Sequence, residues 1–266
     1  MSTTDEMSGD VLYDVRDGAA WITINRPHAS NAVTLGAGAE IRTALDRADV
    51  DPDVRAIILT GAGDKVFSAG ADLKELPPTR HDPAEAEAYD RAFDQTMLAM
   101  ERCSKPTIAR LNGHVVGGSL ALAMGCDIRI AAERVLFRIP VARLGFMYTP
   151  DQTTRIVRAI GPSRAKWMIF SGNAVTAAQA LQWGLIDQLA ADDQFSDACH
   201  ALIADICAGA PLTHQAMKDS IDRIARDDPR DADHISATYR RIYGSDDLKE
   251  GMAAVAEKRT PDFKGE

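Results

Sequence analysis

Two stretches of this 266-residue chain narrow the folds open to it. Phe67-Ser-Ala-Gly-Ala-Asp72 and Asn112-Gly-His-Val-Val-Gly-Gly-Ser119 are built almost wholly from small side chains, and each lies between a β-type run and a helical pattern. A strand ending in such a turn exposes consecutive backbone N–H groups, lets a ligand approach the main chain, and sets a helix start with its field for negative charge beside them. Two such units in one chain call for an α/β protein. Two of these N–H groups converging on one oxygen make an oxyanion hole, which stabilises an enolate or a tetrahedral anion formed from a thioester. The other reading is a pair of tight turns without chemistry, and the pattern by itself leaves both open.

The surrounding pattern agrees with alternating elements. Runs 11–15 and 20–25 flank Asp17-Gly18 and predict a hairpin. Ala37, Ile41, Leu45 and Ala48 recur at helical spacing from about Leu35, and 54–60 is a continuous apolar run of strand length that enters a loop, 61–72, with three glycines. Tyr89, Phe93, Met97 and Met100 mark a second helix that ends before Pro106; strands over 107–111, 127–131 and 135–139 and a buried helix over 120–124 follow. After Pro140 the chain turns mostly helical, with a capping box from Thr176 to Gln179 and a stop at Gly184. From Phe195 onward the pattern predicts helix after helix, with Ala198, Leu202, Ile206 and Met217, Ile221, Ile224 as inward stripes. The fold class is therefore α/β over the first two-thirds and α-helical over the last third.

Composition removes several functions. The balance of 30 Lys+Arg against 39 Asp+Glu gives a net charge of −9, which opposes nonspecific binding to nucleic acid or an anionic membrane. No stretch approaches the ~18 apolar residues of a spanning helix. Residues 1–10 are polar and acidic, with no basic segment leading into an apolar run, and are expected to be a disordered lead-in to a cytoplasmic protein. Cys103, Cys126, Cys199 and Cys207 are scattered, which predicts buried, reduced thiols and no metal site. Neither GxGxxG nor a P-loop occurs, and Gly117-Gly-Ser119-Leu-Ala121 lacks the last glycine of a nucleophile elbow, so no resident cofactor and no serine nucleophile are expected.

The segments 22–32, 59–75, 105–131 and 250–263, in that order and almost end to end, make the chain resemble the enoyl-CoA hydratase/isomerase, or crotonase, superfamily. The resemblance implies a crotonase-like spiral of ββα units over 11–194 and a C-terminal all-helical region over 195–266 that serves oligomerisation and covers coenzyme A, in a homotrimer or a dimer of trimers. It also implies an acyl-CoA thioester substrate, with coenzyme A present only as part of that substrate. Carried over residue by residue, the oxyanion-hole amides fall on Ala69 and Gly118. His28 and Ser30 fall beside the CoA chain, Ala71, Asp72 and Leu73 near its adenine, and Lys258 and Phe263 at its nucleotide end from a neighbouring subunit. Asp72 also suits the cap of the following helix. Arg26, Lys258, Arg259 and Lys264 are the expected local cations for the polyanionic CoA.

The pattern departs from the family at the acids. The two glutamates of its hydratases fall on Ala121 and on Val141, directly after Pro140, and each such group is worth ~10²–10⁴ in rate. The aspartate of its dehalogenase-like and dienoyl-isomerase-like members falls on Thr149. The remaining acid–base candidates are Asp151 first, then His114, Tyr148 and Arg143, with Asp151 also placed to cap a helix behind Pro150. The expectation is an acyl-CoA enzyme weak in simple enoyl-CoA hydration. The alternatives are a different acyl-CoA reaction (isomerisation, hydrolysis or decarboxylation) through Asp151 or His114, and a non-catalytic acyl-CoA binder.

Overall fold

The computed structural model of the chain describes residues 9–75, 82–225 and 232–266. Residues 1–8 of the expected lead-in lie outside the described residues; its last two are fixed, since Asp10 O accepts the Asn25 N–H at 2.7 Å and Gly9 O accepts the Asn25 side-chain amide at 2.9 Å.

The chain opens with the antiparallel hairpin β1 (Val11–Arg16) and β2 (Ala19–Ile24), followed by α1 (Leu35–Val50). The Thr34 hydroxyl caps α1 by accepting the Ala37 N–H, and Ala37, Ile41, Leu45 and Ala48 are buried as the spacing predicts. Three ββα units come next: β3 (Ala56–Gly61), β4 (Val66–Ser68) and α2 (Pro83–Arg102); β5 (Thr107–Leu111), β6 (His114–Val116) and α3 (Gly118–Met124); β7 (Ile128–Ala132), β8 (Leu136–Arg138) and the short α4 (Val141–Leu144). The first strand of each unit joins one sheet and the second joins another, so the chain winds as a spiral. The remainder is α5 (Pro150–Ser171), β9 (Val175–Thr176), α6 (Ala177–Trp183), β10 (Gln188–Ala190), α7 (Phe195–Cys207), α8 (Pro211–Ala225), α9 (Ala232–Tyr243) and α10 (Asp246–Glu257). The sheets are ordered β1-β2-β3-β5-β7-β10 and β4-β6-β8-β9, parallel except at β1/β2 and β8/β9. Every residue of β3 is buried, as expected of a parallel strand covered on both faces. Thr176 and Gln179 form the predicted capping box, and Gly184 ends α6 in the left-handed conformation.

Two expectations change. The strands β4 and β6 lie inside segments that read as loop and turn, because three residues of mixed polarity carry no period and exist as strands only through their partners. The predicted inward stripe of α8 faces outward: Met217, Ile221 and Ile224 are 52%, 58% and 58% exposed. Helical spacing identifies an apolar face without saying whether the same chain covers it. In α7 the buried side chains are Phe195, Cys199 and Ile203, with Ala198, Leu202 and Ile206 half-buried beside them. Cys103 and Cys126 are also buried, and Cys207 is half-buried. Among the described residues no helix is long and apolar enough to cross a membrane.

Candidate active site

Strands β4 and β6 are parallel neighbours, so the turns at their carboxyl ends leave on the same side of the sheet. The approach to the first turn is held by amide side chains: Asn31 Nδ2 donates to Ala62 O and Val66 O at 2.9 and 2.8 Å, and Asn112 Nδ2 donates to Gly61 O at 2.7 Å. The two turns touch through their main chains. A Cβ on Gly70, which has φ +87°, would stand 2.6 Å from Gly118 N, so no larger residue fits there. Gly117, with φ +60° and ψ −135°, starts α3 from a conformation open to glycine, and its N–H donates to Arg138 O at 2.8 Å.

This contact decides which amides are available. Ala69 N–H donates to Ser30 O at 3.0 Å and is spent on the turn, which corrects its expected place in the oxyanion hole. Asp72 N–H is bonded to Val33 O at 3.0 Å, while Ala71 N–H, between them in the turn, and Gly118 N–H have no acceptor among the described residues. A Cβ built on Gly118 would lie 3.6 Å from Ala71 N, so the two donors are neighbours. Both residues line a cavity of about 320 Å³, together with Leu73, Pro140, Val141 and Tyr148. The sequence offered two alanines in one turn, and only the path of the neighbouring 30–33 segment separates them.

The acid–base candidates scatter. Ala121 is fully buried in the core and does not line the cavity, whereas Val141 presents its isopropyl group there. The Tyr148 hydroxyl donates to Gly117 O at 2.5 Å, and burial pushes its phenol above the usual value, so it remains a protonated donor that braces the turn. His114 begins β6 outside the cavity wall, and its Nδ1 accepts the Leu136 N–H at 3.2 Å, which removes it from the acid–base role expected of it. Arg143 is turned to Ser171 O and Asn173, closing the end of α5, and is no part of the wall. Asp151 is exposed at the start of α5, where the Thr149 hydroxyl is the cap, and lines an adjoining cavity of about 660 Å³. The two cavities share Asp90, Phe146 and Met147. The sequence pattern passed over Asp90 and Asp94 as polar positions of a helix. Asp94 is 6% exposed, makes no ion pair among the described residues, and accepts Gln152 Nε2 at 2.6 Å. Burial is the main cause that raises its carboxyl above the ordinary range.

The family model described as enoyl-CoA hydratase/isomerase matches residues 14–266. The chain belongs to that family. Among its relatives, (E)-benzylidenesuccinyl-CoA hydratase of Thauera aromatica is 32% identical over 260 residues, covering 96% of this chain and 99% of that one. Short-chain-enoyl-CoA hydratase of Clostridium acetobutylicum is 31% identical over 251 residues, covering 94% and 95%. Among solved structures, an enoyl-CoA hydratase/carnithine racemase from Magnetospirillum magneticum superposes with a TM-score of 0.93 at 30% identity, covering 100% of this chain and 97% of that one. An enoyl-CoA hydratase from Bacillus anthracis gives 0.86 at 29% identity, covering 97% and 100%. The protein is thus an enoyl-CoA hydratase/isomerase-like enzyme with the crotonase fold.

Within this family member the residues expected to meet CoA are not all assembled by one chain. His28 and Ser30 are exposed in and after the single helical turn Pro27–Ala29, with Ser30 O holding the Ala69 amide. Ala71 and Leu73 line the cavity, and Asp72 supports it from behind: its carboxylate accepts Arg26 Nη1 at 2.8 Å and Lys74 N–H at 3.1 Å. The Arg26 hydrogen bond is the first cause that holds the Asp72 carboxyl below its usual value. Three expected CoA cations are engaged with acids: Arg26 with Asp72 and Asp10, Arg259 with Glu250 and Glu257, and Lys264 with Asp262. Lys258, just past α10, has no carboxylate partner among the described residues. Phe263 stands away from that cavity and lines a different one with Asp17, Pro52 and Cys207, its carbonyl accepting Arg55 Nη2 at 2.6 Å.

Proposed function

We propose that the protein binds an acyl-CoA thioester and stabilises the oxyanion of its enolate with the Ala71 and Gly118 N–H groups. The observation that carries this reading is the pair of neighbouring, unspent amides on the wall of one cavity. Two such donors placed where charge develops act without reorganisation in a water-poor pocket, where each is worth ~10²–10³ in rate. Val141 puts an alkyl group and Ala121 a methyl where the hydratases of the family carry carboxylates, so addition of water to a simple 2-enoyl-CoA is weak. A second reading, a different acyl-CoA reaction, is supported by Asp90, a carboxylate lining the wall of this cavity and of its neighbour. The outward apolar side chains of the C-terminal helices, Met217, Ile224, Tyr239, Tyr243 and Val255 among them, favour burial against further copies in a trimer or a dimer of trimers, with 195–266 as the oligomerisation region.

The test is calorimetric titration with butyryl-CoA and with free CoA, followed by NMR of the bound thioester in deuterated water. The expected result is tighter binding of the thioester and exchange of its α-hydrogens, the proton passing to the Asp90 carboxylate on the cavity wall. Equal binding of the two, with no exchange, contradicts the reading.

A further inference from the structure

We propose that Asp94 is a positioning residue that fixes the Gln152 amide with its oxygen toward the acyl cavity, so that the site favours an acyl group carrying a hydroxyl hydrogen-bond donor. This rests on the acyl-CoA reading above. Gln152 lines the cavity that holds Ala71 and Gly118, whereas Asp94, on α2, lines the adjoining one. The two meet at 2.6 Å between Gln152 Nε2 and Asp94 Oδ1. An ionised carboxylate only accepts, so the amide nitrogen must face Asp94 and cannot exchange places with the oxygen. Gln152 Oε1 has no donor among the described residues and is the acceptor this side chain leaves for the cavity. Its orientation is further constrained at the backbone, where the Gln152 N–H is bonded to the Thr149 hydroxyl that caps α5.

The remaining polar groups of the cavity agree with this preference. The Tyr148 hydroxyl is committed to Gly117 O, and no Lys or Arg lines the wall among the described residues. Such a wall offers hydrogen-bond acceptors and no cation, which suits a neutral acyl group bearing a hydroxyl and opposes one bearing a second carboxylate.

The arrangement responds to pH. Once protonated, Asp94 has a hydrogen to give beside an oxygen that still accepts, so it no longer holds the amide to one orientation. The groups facing Asp94 from α5 and its cap are Thr149, Gln152, Asp151 and Arg155; burial and then Asp151 raise its carboxyl, and the Thr149 and Gln152 hydrogen bonds and Arg155, itself paired with Glu101 at 2.5 Å, oppose them. Asp90 and Arg91 lie on α2 itself. Arg42 reaches α2 from α1 to bond Thr96, and α3 brings no titratable side chain.

The experiment compares dissociation constants of butyryl-CoA, 3-hydroxybutyryl-CoA and 4-hydroxybutyryl-CoA for the wild type, Asp94→Asn and Gln152→Leu, from about pH 8 down to about pH 5. In the wild type at the higher pH at least one hydroxylated ligand binds roughly fivefold tighter than butyryl-CoA. That gain falls with pH in the wild type, and it is small and independent of pH in both variants. The absence of any gain in the wild type, or a full gain kept by Asp94→Asn, overturns the proposal while leaving the acyl-CoA reading intact. Failure of all three thioesters to bind overturns both.

Discussion

The two ends of the acyl cavity are built from different material. At the carbonyl end the chemistry belongs to the backbone: Ala71 and Gly118 offer N–H groups whose positions are set by Gly70, Gly117, the Ser30 carbonyl and the Tyr148 hydroxyl. At the other end the wall is made of side chains, and Val141, at a position where the family resemblance implies an acid, puts an alkyl group there. A site made of main chain persists as long as the turns do, because substituting a side chain does not remove an N–H. Acid–base chemistry is lost with one side chain. On the proposed function, the chain keeps the part of the family's machinery that its fold also needs and has exchanged the part the fold does not need.

The largest effect is expected at the backbone end. Gly70→Ala places a methyl 2.6 Å from Gly118 N in a residue with φ +87°, so the two turns must part. Thioester turnover or α-hydrogen exchange falls by about 10²–10³, and the thermal midpoint drops with it. Unchanged exchange separates the corner from the chemistry. At the opposite end, Val141→Glu returns one carboxylate to the wall. Hydration of crotonyl-CoA rises by about tenfold to a hundredfold, less than a fully placed acid provides. No rise in a folded variant shows that something other than the missing acid limits that end.

A smaller effect concerns the support of the carbonyl end. Asp72 and Arg26 are 10% and 13% exposed at their side chains and pair at 2.8 Å. The Asp72 carboxyl is depressed in the folded state, so its stabilisation is fully present above the unfolded value of about 3.9 and is lost as pH falls through the lower folded value. Asp72→Asn is expected to cost about 2 kcal/mol at neutral pH, with a difference from the wild type that narrows in acid. Urea titrations at both pH values check it, and a difference that widens on acidification contradicts the assignment.

Much of this was legible in the residues. The strand and helix periods, the capping box at Thr176 and the two small-residue turns are local properties, written in spacing and turn chemistry. What stayed hidden depended on contacts between distant segments. The choice of Ala71 over Ala69 is made by residues 30–33 crossing the turn, and β4 and β6 exist through each other. His114 stood four residues before the Gly118 amide in sequence, yet its imidazole serves Leu136 across the sheet. Asp94 carries no signal of its own in the sequence, because its partner Gln152 lies 58 residues away. The stripe of α8 had a correct period and an unexpected direction, because a period cannot tell a neighbouring helix from a neighbouring molecule.

The measurement that bears most directly on the contrast between the two ends is the hydration of crotonyl-CoA by the purified wild-type protein, run beside the short-chain-enoyl-CoA hydratase of Clostridium acetobutylicum. The account predicts that the protein binds the thioester and hydrates it with kcat/KM lower by at least about a hundredfold. Hydration at a rate equal to that enzyme's contradicts it, because the alkyl wall at Val141 would then be no obstacle to the chemistry.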